Sequence, residues 1–232
     1  MFIKSRGRIS RRPLPLICCL LFMLCAFHVA RADEIAVWNF NDSDLVVDHG
    51  SGTLTSTFNG SNILFAAGTT NNARLGDVAG QALSLQGGTG TANNGRNFTL
   101  NVSTVGFSDI IFSFATQGTG TGFTSNQFQY SLDGTNFIDF GAPYVPAAAF
   151  GAVPLVFTLN SIAGLNNNPN AAFRIVFNGA TSSTGTNRID NIVIEGTSSA
   201  TTTIPEPATL SLLATGLGGL YAARRKRRAA VK

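Results

Sequence analysis

Phe128-Gln129-Tyr130-Ser131-Leu132-Asp133-Gly134-Thr135-Asn136-Phe137-Ile138-Asp139-Phe140 is the stretch that decides the fold. Before Asp133-Gly134, Phe128, Tyr130 and Leu132 alternate with Gln129 and Ser131, and after it Phe137, Ile138 and Phe140 form a second short apolar run. Alternation with a period of two is the pattern of a half-buried strand. Asp-Gly between two such arms marks a tight reversal, because glycine takes a positive φ without steric cost. The segment therefore predicts a β-hairpin with arms over residues 127–132 and 137–140.

The same pattern extends in both directions. Short runs of β-branched and aromatic residues occupy 34–40, 53–58, 62–66, 81–85, 98–102, 109–115, 155–159, 172–177 and 191–195. Phe98, Leu100 and Val102 alternate with Thr99 and Asn101, and Phe173, Ile175 and Phe177 alternate with Arg174, Val176 and Asn178. Clusters of Gly, Asn, Ser and Thr separate the runs, which is how strands are punctuated. No long apolar stripe of helical period appears between residue 33 and the C-terminal segment. About eleven short strands without helices predict an all-β domain over 33–196, an antiparallel β-sandwich of jelly-roll-like form. The segments 67–73, 86–97, 117–126 and 178–187 read as exposed loops or hairpin tips.

Both ends of the chain have a different character. Lys4, Arg6, Arg8, Arg11 and Arg12 precede an apolar run over 16–27, and Ala30-Arg31-Ala32 follows it. A basic start, a short apolar stretch and small residues at Ala30 and Ala32 make a secretory signal over residues 1–32, with a signal peptidase as its first partner. The apolar run is shorter than the ~20 residues that a bilayer span requires. Ser10-Arg11-Arg12 hints at twin-arginine export, although Pro13 and Pro15 interrupt that pattern. At the other end a Ser/Thr linker, 197–203, leads to Pro205-Glu206-Pro207. An apolar run over 208–223 follows, and then Arg224-Arg225-Lys226-Arg227-Arg228. As a helix that run would reach about 24 Å against a hydrocarbon core of about 30 Å, a gap that snorkelling arginines and local thinning can close. The basic cluster would remain cytoplasmic while the signal directs the rest outward, so the two ends agree on one topology.

Proline-Glu-proline, a short Gly/Leu/Ala helix and an arginine cluster, in that order over residues 204–232, resemble the PEP-CTERM sorting domain of Gram-negative bacteria. The resemblance implies recognition by an exosortase, a membrane-embedded processing enzyme, with cleavage near the motif and transfer to the envelope or matrix. The two prolines hold an extended segment free of helical hydrogen bonding at the membrane face, where such an enzyme would engage it. The Tyr130-to-Phe137 hairpin and Arg188-Ile189-Asp190-Asn191-Ile192 likewise resemble sandwich ectodomains of PEP-CTERM and carbohydrate-binding proteins.

Setting the signals aside changes the charge. Of the sixteen Lys and Arg residues, six lie in 1–32 and six in 224–232. Residues 33–204 keep four arginines against eleven carboxylates, a net charge of −7 where the whole chain has +4. The basic character belongs to the two signals, and nucleic acid, which needs a basic face on the folded part, is excluded as a partner. Cys18, Cys19 and Cys25 all lie in the N-terminal signal, so the mature chain has no thiol chemistry and no disulfide.

Catalytic patterns are scarce. His49 is the single histidine beyond the signal, no G-x-S-x-G elbow is present, and Glu34 and Glu195 are the only glutamates of the domain. The chain reads as non-catalytic. Asn39, Asp42 and Asp190 offer hard oxygens, and the resemblance to jelly rolls implies a structural calcium joining the first strand to the last through them. Sugar stacking needs exposed aromatics: Trp38 and Tyr130 alternate with core residues, leaving Tyr144, between Pro143 and Val145, as the exposed candidate. The leading expectation is a non-catalytic, exosortase-sorted surface or matrix protein in a structural or adhesive role linked to exopolysaccharide. A calcium-dependent carbohydrate-binding module and a secreted polysaccharide hydrolase stay open as alternatives.

Overall fold

The computed structural model describes residues 32–199, together with 215–217, 219 and 224. The expected secretory signal up to Arg31, the Pro205-Glu206-Pro207 motif and the cluster from Arg225 to Arg228 lie outside the described residues. Residues 215–217, 219 and 224 are helical. Among the described residues no helix is long and apolar enough to cross a membrane.

Twelve strands build the domain. They are β1 (Ala32–Trp38), β2 (His49–Gly50), β3 (Thr53–Ser56), β4 (Ile63–Ala67), β5 (Gln81–Gln86) and β6 (Arg96–Asn101), followed by β7 (Phe107–Gly118), β8 (Ser125–Ser131), β9 (Phe137–Asp139), β10 (Leu155–Thr158), β11 (Ala172–Asn178) and β12 (Thr186–Ser198). Each of the eleven expected runs contains a strand, and the two-residue β2 is the addition. Within residues 32–199, helix is confined to 3₁₀ turns at Gly60–Asn62, Thr89–Thr91 and Ala163–Leu165.

The strands form two antiparallel sheets, as the alternation predicts. One runs β3-β6-β11-β8-β9; the other runs β10-β7-β12-β1-β2, with β5 also paired to β12 and β4 to β5. β12 organises the larger sheet. Residues 186–189 pair with β5 and residues 192–197 pair with β1, while β7 follows the opposite edge along most of its length. The change of partner falls at Asp190-Asn191, where the register slips and Asn191 takes φ +50°. Asparagine tolerates this left-handed geometry better than the β-branched residues around it.

The core lies between the two layers. Phe98, Leu100, Phe128, Phe173, Ile175 and Phe177 point inward from one sheet and meet Trp38, Phe112, Phe114, Ile192 and Ile194 from the other. Phe112 packs across the interface on Phe128 and Phe173, with ring centroids 4.9 and 5.6 Å apart. Phe128 and Phe157 are stacked at 4.1 Å and 11°. A domain with no disulfide needs such a core, since each buried large side chain contributes roughly 1.5–3 kcal/mol.

Two of the expected exposed loops are packed into this frame. In the 117–126 segment, Phe123 is buried edge-on against Phe58 and Phe177. The 67–73 segment is fastened to β12 and β7 by side chains that sequence alternation does not reveal. Asp190 Oδ2 accepts from the Thr69 amide at 2.7 Å, and Asn191 Nδ2 donates to the carbonyls of Thr69 and Asn71 at 2.7 and 2.9 Å. Asn72 Nδ2 reaches the Asn191 carbonyl at 2.8 Å and Ser113 Oγ at 3.0 Å. Gly68 is required here, because a Cβ would collide with Asp190 Oδ2 and the Ala79 carbonyl.

Candidate functional site on the outer face of the five-stranded sheet

Alternation in β6, β8 and β11 points every second residue into the core and gives the others outward parity, of which Asn101 is exposed, Gln129 and Arg174 are half-buried, and Thr99, Ser131 and Ala172 are covered. Strand register then sets Thr55, Thr99, Arg174, Gln129 and Asp139 in one row across all five strands. The next row along the sheet carries Thr53, Asn101, Ala172, Ser131 and Phe137. The accessible polar side chains of these rows are Thr55, Thr53, Asn101, Arg174, Gln129 and Asp139, set at the ~4.8 Å separation of strands.

Arg174 is the centre of this surface. Its Cζ lies 3.4 Å from the centroid of the Phe137 ring, a stacked cation–π contact, and its Nε donates to Thr99 Oγ1 at 2.9 Å. Partial burial lowers the Arg174 pKa from its ordinary value, the direction expected of a cation with no carboxylate beside it. On the far side of β8, Gln129 Nε2 donates to Asp139 Oδ1 at 2.8 Å. The face ends at a groove of about 400 Å³ lined by Thr53, Asn101, Ser103, Asp133, Gly134 and Asn170. Asp133 is consumed by its own turn: its carboxylate accepts from the amides of Thr135 and Asn136 at 2.9 and 2.7 Å, from Asn136 Nδ2 and from Ser131 Oγ. These bonds, those from Asn136 first, hold its pKa far below the usual carboxylate range.

The residues singled out in the sequence are dispersed. Ala32 opens β1 opposite Thr197, and Arg224 is helical. Asn39 is buried, with its Oδ1 accepting from the Asn41 amide at 3.0 Å and its Nδ2 donating to Asp77 Oδ2 at 3.2 Å. Asp42 is exposed. Asp190 is fully buried under the 68–69 backbone, with its Oδ1 accepting from the Asn191 amide at 2.9 Å. Burial raises its pKa to about 7 against the pull of the Thr69 and Asn191 amides. Among the described residues no three His, Cys, Asp or Glu side chains gather as a metal site, and no hydrogen bond joins Asp190 to Asn39 or Asp42.

Trp38 and Tyr130 are buried, as their alternation implies, and Trp38 Nε1 donates to the Leu45 carbonyl at 3.2 Å. Tyr144 is not the exposed ring that its loop position suggests. Its main chain bridges Asn126, which draws the ring onto Phe114 and Phe157 at 5.8 and 6.3 Å and buries its hydroxyl beside the Asn126 side chain. Desolvation there pushes the phenol well above its ordinary pKa. The two glutamates stand opposite each other on β1 and β12, with Glu34 ion-paired to Arg74 at 2.7 Å. Sequence reasoning missed Arg174 and Phe137 as a pair. The available signal was the outward parity of Arg174 in a strand whose alternate residues are Phe173, Ile175 and Phe177.

Residues 203–228 match the PEP-CTERM protein-sorting motif, so the chain carries that sorting signal. No curated protein matches the sequence. Among solved structures, the CBM22-1 xylan-binding domain of Xyn10C from Paenibacillus barcinonensis is similar at 12% identity and a TM-score of 0.44, covering 74% of this chain and 99% of that one. Domain 4 of AbnA, an extracellular GH43 arabinanase from Geobacillus stearothermophilus solved with arabinotriose, is similar at 16% identity and a TM-score of 0.43, over 72% and 94% of the two chains. The K2 cleaved adhesin domain of Lys-gingipain is similar at 16% identity and a TM-score of 0.41, over 68% and 96%.

Proposed function

We propose that this chain, whose residues 203–228 carry the PEP-CTERM sorting motif, is an exported, non-catalytic protein of the cell envelope or extracellular matrix. Its secretory signal over 1–32 is removed, its C-terminal apolar segment anchors the precursor, and an exosortase processes the tail. The motif is the observation that carries this reading, and the acidic, thiol-free composition of residues 33–204 supports it. Replacing Pro205, Glu206 and Pro207 by alanine in the native host tests it. Retention of the full-length chain in the membrane fraction is expected, and unchanged release to the matrix contradicts the reading.

A second reading concerns what the jelly-roll-like domain does there. The outer face of the five-stranded sheet is a polysaccharide contact, supported by the row of hydroxyl, guanidinium and amide groups of Thr55, Arg174 and Gln129, with Thr99 buried beneath the guanidinium, and by the groove at its end. Sugars are recognised by such planar arrays of donors and acceptors next to shaped clefts.

A structural calcium is a separate proposal. Asp190, buried with no ion-pair partner among the described residues, is the group that would gain most from the ion; Asn39 and Asp42, the other expected ligands, would have to be drawn to it, since no hydrogen bond joins them to Asp190 among the described residues. An ion that binds the folded chain alone raises its melting temperature. Calcium should stabilise the full-length chain and not its Asp190→Asn variant, whereas identical melting in calcium and in chelator removes the ion from the account.

A further inference from the structure

The polar face has a chemical bias. We propose that the Arg174–Phe137 pair is a receptor for a carboxylate carried on a polysaccharide, which makes the ligand of this face a uronic-acid polymer. The inference rests on the reading of this face as a glycan contact and names the class of glycan.

Four observations support it. First, Phe137 is the aromatic ring on these rows, and the guanidinium already covers it at 3.4 Å. A pyranose cannot stack on the covered side of that ring, so the usual aromatic platform for neutral sugars is replaced by a cation. Second, Arg174 has no carboxylate partner among the described residues, although residues 33–204 contain eleven acids and only four arginines. Arg74, by contrast, is paired to Glu34 at 2.7 Å. Third, only Nε of Arg174 is hydrogen-bonded among the described residues, to Thr99 Oγ1. The Nη groups are therefore available, and a planar fork fixed by stacking on one side and by Thr99 on another is suited to two parallel bonds with a carboxylate. Fixing the side chain in advance also reduces the ordering cost of binding.

Fourth, the neighbouring acids leave one side of Arg174 open. Asp139 lies towards β9, where Gln129 Nε2 engages it, and Asp133 is held by its turn. Thr99 is buried and its hydroxyl is taken up by Asn97 and Arg174, while towards β3 the row offers the exposed Thr55, and the adjoining row leads through the exposed Asn101 and Thr53 into the groove. An acidic sugar seated there meets the guanidinium with its carboxylate and hydroxyl or amide groups with its ring oxygens. The net charge of −7 repels polyanions at long range, so recognition depends on this local contact and not on steering.

The test uses the full-length chain in detergent, with polygalacturonate and the same polymer after carboxyl reduction as probes, and affinity electrophoresis or calorimetry as the readout. The wild type should bind polygalacturonate roughly ten- to a hundredfold more tightly than the reduced polymer, the range of a charge-assisted contact. Arg174→Gln should remove that preference, and Arg174→Lys, which keeps the charge but not the fork, should restore only part of it. Thr99→Val, with the guanidinium less well held, should weaken binding by a smaller factor; thermal melts verify that each variant folds. Equal binding of both polymers, or an Arg174→Gln variant that binds as the wild type does, overturns the carboxylate assignment and leaves the glycan contact standing. Failure to bind either polymer or any neutral matrix polysaccharide overturns both.

Discussion

Asp190 combines full burial, two amide donors and no ion-pair partner among the described residues, and these set opposing demands on its carboxyl group. Desolvation outweighs the hydrogen bonds, so its folded pKa rises from 3.8 to about 7. A group raised in this way binds more protons folded than unfolded between those two values. Its stabilising contribution is therefore complete below about pH 4 and is lost as pH rises through about 7. In chelator, thermal unfolding of the wild type should show that loss, on the order of a few kcal/mol, relative to Asp190→Asn. A difference curve that is flat from pH 4 to 7 contradicts the assignment. Phe128 makes a simpler claim at the same scale. It is fully buried and stacked on Phe157 at 4.1 Å, so Phe128→Ala should cost about 3–5 kcal/mol in denaturant unfolding.

At the scale of elements, the β8–β9 hairpin and the role of Asp133 were legible, although β8 starts at Ser125 and stops at Ser131, which leaves Leu132 exposed. Gly134 takes φ +77°, as its place after Asp133 requires, and Ser131 faces Phe137 across the turn. Gly134→Ala should cost ~1 kcal/mol and lower the melting temperature by about 2–4 °C. β12 was legible only in its second half. Alternation identified 191–195, but the strand begins at Thr186, because its first residues pair with β5 on one side and β7 on the other. Nothing local signals a strand that changes partners at Asp190-Asn191; only the register slip there reveals it. Asn191→Ala removes two side-chain hydrogen bonds and places a less tolerant residue at φ +50°. It should cost about 2–3 kcal/mol and raise amide exchange at Thr69 first, while exchange that rises evenly over the whole domain contradicts the pinning role. The candidate site was least legible of all. Thr99, Arg174 and Phe137 come from three different strands, and only register brings them together.

At the scale of the whole molecule, Ala32 lies opposite Thr197, so the first and last strands of the domain meet at the end from which the proposed targeting segments continue in sequence. The whole chain has an isoelectric point of 9.3, whereas residues 33–204, which the proposed processing would leave, carry four arginines against eleven carboxylates. The most direct measurement of this account is intact mass spectrometry of the protein recovered from its native host. The account predicts an N-terminus at Asp33 and a C-terminus close to Pro205-Glu206-Pro207. A mature form that still ends at Lys232 would contradict it, reducing the tail to an anchor that no exosortase cuts.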